Sequence, residues 1–169
     1  LNFNVPYLSR NPSEFWKRWH ISLSSWFTDY VFIPLGGSRN GTWNSYQNIF
    51  ITMLLSGLWH GAAWTFVAWG TFHAALLSIY RLIGTERINR LPGVVQIVLM
   101  FHLVCVGWVL FRAASIADAW LFAETFFRWS SLSLPPKAYL LALVFPLAAV
   151  ELLQYRNGDQ FPVLRWPAP

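Results

Sequence analysis

No Asp, Glu, Lys or Arg occurs between Arg39 and Arg81. About 20 apolar residues are enough for one helix to cross the hydrocarbon of a bilayer, so this stretch is about twice that length. Across the whole chain apolar residues make up 56% and charged residues 11%, against about 25% charged in a soluble domain. The expected fold is therefore all-α, a polytopic integral membrane protein of packed helices. Inside the uncharged stretch lies an imidazole, His60. A titratable group kept at such depth is a functional candidate by default; the plainer reading is a buried histidine that hydrogen-bonds a neighbouring helix.

Charge narrows the class further. Twelve Lys and Arg stand against seven acids, a net charge of +5. The basic residues are scattered singly and in pairs, with no run or helical stripe of the kind nucleic acid needs, so no nucleic-acid partner is expected. The excess instead fits positive loops and contact with the anionic headgroups of a lipid bilayer. Eleven Trp and fourteen Phe suit lipid–water interfaces and interhelical packing. Cys105 is the one cysteine and reads as a small buried apolar residue. No basic leader, apolar core and cleavage site follow one another at the N-terminus. The opening Leu1–Tyr7 reads as a loop, and the chain as the C-terminal part of something longer.

Along the chain, Asn11-Pro12-Ser13-Glu14 is a helix start: Asn11 can cap, Pro12 suits the first turn and Glu14 stands at the capping-box position. The pattern predicts one amphipathic helix over 10–32, interfacial or re-entrant. Trp16, Trp19, Leu23, Trp26, Phe27 and Tyr30 gather within about 100° of arc, with His20 at the edge of that face beside Trp16. A surface anchor at headgroup depth is the alternative. Residues 33–41, with Pro34, Gly36-Gly37 and Asn40-Gly41, form a turn. No Walker lysine follows, so a nucleotide loop is excluded, and Arg39 reads as a headgroup contact. Residues 46–82 carry the histidine-bearing helices, either two helices broken near His60 or one long tilted helix with a re-entrant start. The loop 81–90, with three Arg in Arg81, Arg87 and Arg90, is the best cytoplasmic segment. Residues 91–111 make the cleanest span. Residues 113–137 read as amphipathic helix or loop, 138–153 as a possible last span, and the Pro-rich tail from Gln154 as extended or disordered.

The chemistry available is imidazole chemistry. The four histidines, His20, His60, His73 and His102, form no His-x-x-x-His pair and no Cys/His cluster, so no metal is expected. No Gly-x-Ser-x-Gly elbow occurs, and Cys105 has no basic neighbour to make it a thiolate. A low-dielectric site favours neutral imidazole, the form a general base needs. His60 can then take the proton of a hydroxyl acceptor as its oxygen attacks an acyl group, with His20 as the second donor that orients the acceptor or stabilises the oxyanion. Spacing alone does not bring these two together. His73 reads as packing beside Trp69, and His102 as structural.

Asn11-Pro12-Ser13-Glu14-Phe15-Trp16-Lys17-Arg18-Trp19-His20-Ile21-Ser22-Leu23-Ser24-Ser25-Trp26 resembles the first signature of the membrane-bound O-acyltransferases. Leu35-Gly36-Gly37-Ser38-Arg39 and Asn48 resemble the linker after it. Ser56-Gly57-Leu58-Trp59-His60-Gly61-Ala62, continued by Trp64-Thr65-Phe66 and Trp69-Gly70, resembles the second. Gly107-Trp108-Val109-Leu110-Phe111-Arg112-Ala113 is similar to a segment of the branch that O-acetylates alginate.

The resemblance implies a multi-pass protein of the bacterial cytoplasmic (inner) membrane with its reaction centre in a tunnel. It implies His60 as the catalytic histidine and His20 as the second functional residue. No cofactor is held; the donor is a cytoplasmic thioester, acetyl-coenzyme A or an acyl-carrier protein. The acceptor is a hydroxyl of an exported polysaccharide such as alginate, often reached through an extracytoplasmic acetyltransferase or export partner. The N-terminal helices of the family lie outside this chain, so the tunnel needs that further part of the polypeptide. D-alanyl transfer to teichoic acid is the related alternative. A transporter or proton-relay protein using the same histidines, or a structural subunit with no site, are the competing classes.

Overall fold

The computed structural model describes residues 2–127 together with Leu152 and Arg156, and residues 125–127 by backbone alone. Apart from Leu152 and Arg156, the span expected over 138–153 and the tail after it lie outside the described residues. Every regular element among the described residues is helical. Two of them, Trp64–Ile83 and Gly93–Arg112, are long and apolar enough to cross a membrane.

Helix α1 (Pro12–Arg18) starts as its sequence dictates. The Glu14 amide donates to Asn11 Oδ1 at 2.8 Å. The carboxylate of Glu14 reaches back one residue further than in a standard capping box, accepting from the Arg10 amide at 2.8 Å, and pairs with Arg18 at 2.6 Å. The helix does not run on to residue 32 as expected. Trp19 turns extended and His20 adopts φ +42°. Helix α2 (Ile21–Phe27) then restarts and passes into a π turn over Thr28–Phe32. The partner at the break is distant in sequence: Asn2 takes the orphan amides of the new helix. Its carbonyl accepts from Ile21 at 2.9 Å and its side-chain oxygen from Ser22 at 3.0 Å. The predicted aromatic stripe is split in consequence. Phe15 is buried and Trp16 and Trp19 pack against the other helices, whereas Trp26 and Tyr30 remain exposed.

Helices α3 (Thr42–His60) and α4 (Trp64–Ile83) form an antiparallel hairpin, so the charge-free stretch is two helices. Arg81 Nη1 donates to Ser45 Oγ at the far end. Asn48 Nδ2 donates to the carbonyls of Leu35 and Gly37 at 3.1 and 2.9 Å and thereby fastens the Gly36-Gly37 turn to α3. After the single turn α5 (Thr85–Ile88), helix α6 (Gly93–Arg112) returns alongside α4, and α7 (Ile116–Phe127) follows.

The burial pattern is that of a membrane helix set. On α3 the buried residues are Ser45, Asn48, Thr52, Ser56 and Gly57, while Phe50, Ile51, Leu55 and Leu58 face outward. On α6 the outward residues include Val94, Val98, Leu99 and Val106. Small and polar residues at helix contacts with apolar residues outside are what packing in lipid favours.

Candidate functional site: two imidazoles on one indole

His60 is the last residue of α3, and the break at Gly61 lets α4 fold back beside it. The hairpin is tight at this point. A Cβ on Gly61 would sit 2.8 Å from the Phe66 ring. One turn earlier, a Cβ on Gly57 would run into the Phe66 carbonyl, and one on Gly70 would lie 2.5 Å from the Met53 carbonyl. Glycine is therefore required by close backbone approach at both positions.

Four rings hold the imidazole of His60. The centroids of Trp59, Phe66, Trp69 and Phe111 lie 5.0, 6.1, 5.3 and 4.9 Å away. Three of them meet it edge to face, the arrangement aromatic quadrupoles prefer. Phe111 comes from the end of α6 and Phe66 from the start of α4. His60 thus sits at the end of both spans remote from the Arg81–Arg90 loop, about 30 Å away along a 20-residue helix.

His20 reaches the same indole from the break between α1 and α2. Its ring lies 6.5 Å from Trp59 at 88° and 6.0 Å from Phe3, not beside Trp16 as the continuous helix predicted. Trp59 therefore carries both imidazoles on one indole. The left-handed backbone at His20 is uncommon for a residue other than glycine and costs of order 1–3 kcal/mol. Because Asn2 caps α2, the imidazole is not spent on capping; its Nδ1 is buried without a hydrogen-bond partner.

An open cavity of about 790 Å³ runs between α1–α2 and the α3–α4 hairpin. Ile49, Thr52, Met53 and Ser56 line it on successive turns of α3, and Ser56 is one turn before His60. Ile21, the residue after His20, lines it from α2; Lys17, Tyr80 and Arg81 also contribute. The wall is thus apolar with hydroxyls and carries the cationic side chains of Lys17 and Arg81; neither His20 nor His60 lines it, and the lining residues nearest to them in the chain are Ile21 and Ser56.

His73 and His102 are placed differently. His73 is buried, 4.7 Å from Trp69 and 5.1 Å from Trp16. His102 is exposed on α6 and its Nδ1 donates to the Val98 carbonyl at 2.7 Å. Among the described residues no three His, Cys, Asp or Glu side chains converge as metal ligands. Nothing in the spacing of the sequence marks Trp69, Phe66 or Phe111 as neighbours of His60. Only the helix reversal at Gly61 and the return of α6 bring them there.

The pattern of the membrane-bound O-acyltransferase family matches residues 2–116. The chain is 47% identical over 130 residues to the probable alginate O-acetylase AlgI of Pseudomonas aeruginosa, covering 77% of this chain and 25% of that protein. It is 38% identical over 122 residues to the peptidoglycan O-acetyltransferase of Helicobacter pylori, covering 70% and 23%. To the teichoic acid D-alanyltransferase of Bacillus subtilis it is 36% identical over 124 residues, covering 65% and 31%. The chain spans about a quarter of the length of the first two. The match covers both histidine-bearing signatures and the whole of α1 to α6, and on that extent the chain belongs to the membrane-bound O-acyltransferase family.

Proposed function

We propose that this chain works as the C-terminal part of a longer, multi-pass O-acyltransferase of the bacterial inner membrane. It moves an acetyl group from a cytoplasmic thioester to a hydroxyl of an exported polysaccharide of the alginate type. The observation that carries the reading is the meeting of His20 and His60 on Trp59, with a cavity of about 790 Å³ lined by Ile21, the residue after His20, and by Ser56, one turn before His60.

In the reaction His60 accepts the proton of the acceptor hydroxyl while that oxygen bonds to the thioester carbonyl carbon. The imidazole of His20 donates to the oxyanion that develops. When the tetrahedral centre collapses, the carbon–sulfur bond breaks and the departing thiolate takes the proton from His60. The products are an ester and a free thiol, and the imidazole is neutral again. No metal or bound cofactor enters.

Orientation follows from charge. Arg81, Arg87 and Arg90 mark the cytoplasmic side by the positive-inside rule, and His60 lies at the opposite end of α4 and α6. The donor then enters past Lys17 and Arg81 and travels along the α3 wall to the histidines. The acetyl group leaves toward an extracytoplasmic acetyltransferase or export partner, with further helices of the same polypeptide closing the chamber.

The test uses the full-length protein in proteoliposomes, with acetyl-labelled coenzyme A outside and a soluble glycan acceptor inside. Label is expected on the acceptor, with one free thiol released per acetyl group. Label crossing without thiol release supports a transporter and overturns the reading. Transfer only from a D-alanyl carrier protein moves the chain to the teichoic acid branch.

A further inference from the structure

His73 takes no part in the reaction written above, yet it is 3% exposed and its Nδ1 has no hydrogen-bond partner. Burying an imidazole nitrogen unpaired is unfavourable, and an apolar side chain of similar volume would avoid it. The surroundings explain why a ring of this size stands there. His73 is stacked on Phe15 of α1, with ring centroids 6.2 Å apart and planes 5° from parallel. On α6, a Cβ at Gly107 would come within 2.8 Å of His73 Nε2. The ring stands between Phe15 and the bare backbone of Gly107, in space that a side chain on Gly107 would take.

Trp16, Trp69 and His73 form a closed triangle of rings, with centroids 5.8, 4.7 and 5.1 Å apart around its sides. Trp69 cannot tilt without displacing both partners, and its own edge-to-face contact with His60 is 5.3 Å at 83°. At 2% exposed it has no free side on which to relax. A catalytic base is effective only within about 0.5 Å and 10–20° of its productive geometry, so whatever fixes Trp69 fixes one of the four rings that set the reach of His60.

We propose that His73 is a positioning residue for the acyl transfer: with Trp16 it clamps Trp69, whose edge sets the His60 ring. This rests on the acyl-transfer reading. It also gives Gly107 a role, since that residue leaves room for the clamp from α6.

The experiment measures kcat and KM of acceptor acetylation, and Tm, for His73→Ala and Gly107→Ala in the full-length protein. Expected is a fall in kcat of about 10-fold to 10²-fold, with the donor KM held within about twofold. Added imidazole should restore kcat in His73→Ala by refilling the site. A folded His73→Ala that keeps its kcat, or whose kcat imidazole does not recover, overturns the proposal. Where His73→Ala does not fold, Gly107→Ala decides, because it adds a single methyl against the ring; an unchanged kcat, or a change in KM alone, overturns it. Full activity in His60→Ala would instead refute acyl transfer by this site, an outcome independent of His73.

Discussion

Full-length protein carrying His60→Ala is expected to transfer acetyl groups about 10²–10⁴-fold more slowly, the usual worth of a positioned general base. It should still insert, because His60 is half-buried at the end of α3 and makes ring contacts to side chains that also hold one another: Phe66 lies 5.2 Å and Trp69 5.7 Å from Phe111. His20 needs a different probe. Its left-handed backbone is tolerated by asparagine better than by most residues, so His20→Asn removes the imidazole with the least disturbance of the break between α1 and α2. If His20 donates to the oxyanion, His20→Asn lowers kcat by about 10²–10³-fold, the loss seen when one such donor is removed. Both variants are checked by label transfer in proteoliposomes beside a measurement of membrane-inserted protein. Normal transfer in His60→Ala would leave the site without its base and end the mechanism.

How far the sequence carried this reading depends on the range of the interactions. The cap at Asn11, the glycine turn and the apolar helices are set by neighbours within a few residues, and the sequence shows them. The break at His20 is set by Asn2, eighteen positions earlier, whose carbonyl and side chain take the amides of Ile21 and Ser22. Helical periodicity carries no trace of such a partner, so the aromatic stripe read as continuous. The same limit applies to the site. His20 and His60 are forty positions apart and meet only because α1 breaks and α3 ends at Gly61. Family resemblance named both residues, but it did not reveal that Trp59 joins them or that Trp69 ties His60 to His73. His73 read as packing beside Trp69, and it does pack there; its further contacts with Phe15 of α1 and Gly107 of α6 are long-range and left no trace in the sequence.

The second large effect is expected at the hairpin that carries His60. Gly57 and Gly70 face each other across α3 and α4, with the Cα of Gly70 3.4 Å from where a Cβ on Gly57 would stand. A methyl at either position meets backbone, not a side chain that can swing aside: the Phe66 carbonyl at Gly57, and the Met53 carbonyl and Leu54 Cα at Gly70. The helices must separate, and overpacking of this kind costs about 1–3 kcal/mol. A leucine at Gly57 exceeds that range. Because His60 lies one turn beyond Gly57, the displacement is carried directly to its ring, and a shift of about 1 Å is enough for a 10²-fold loss of rate. Gly57→Ala and Gly70→Ala are therefore expected to lose Tm and transfer together, and Gly57→Leu to lose the folded hairpin. Gly93→Ala is the control. There, at the first residue of α6, a Cβ would meet only the Arg10 side chain, at ordinary contact distances of 3.7–3.8 Å. Thermal unfolding in detergent, read beside label transfer, separates the cases. Gly57→Ala with unchanged Tm and rate would mean that α3 and α4 do not approach this closely, and the geometry around His60 would have to be redrawn.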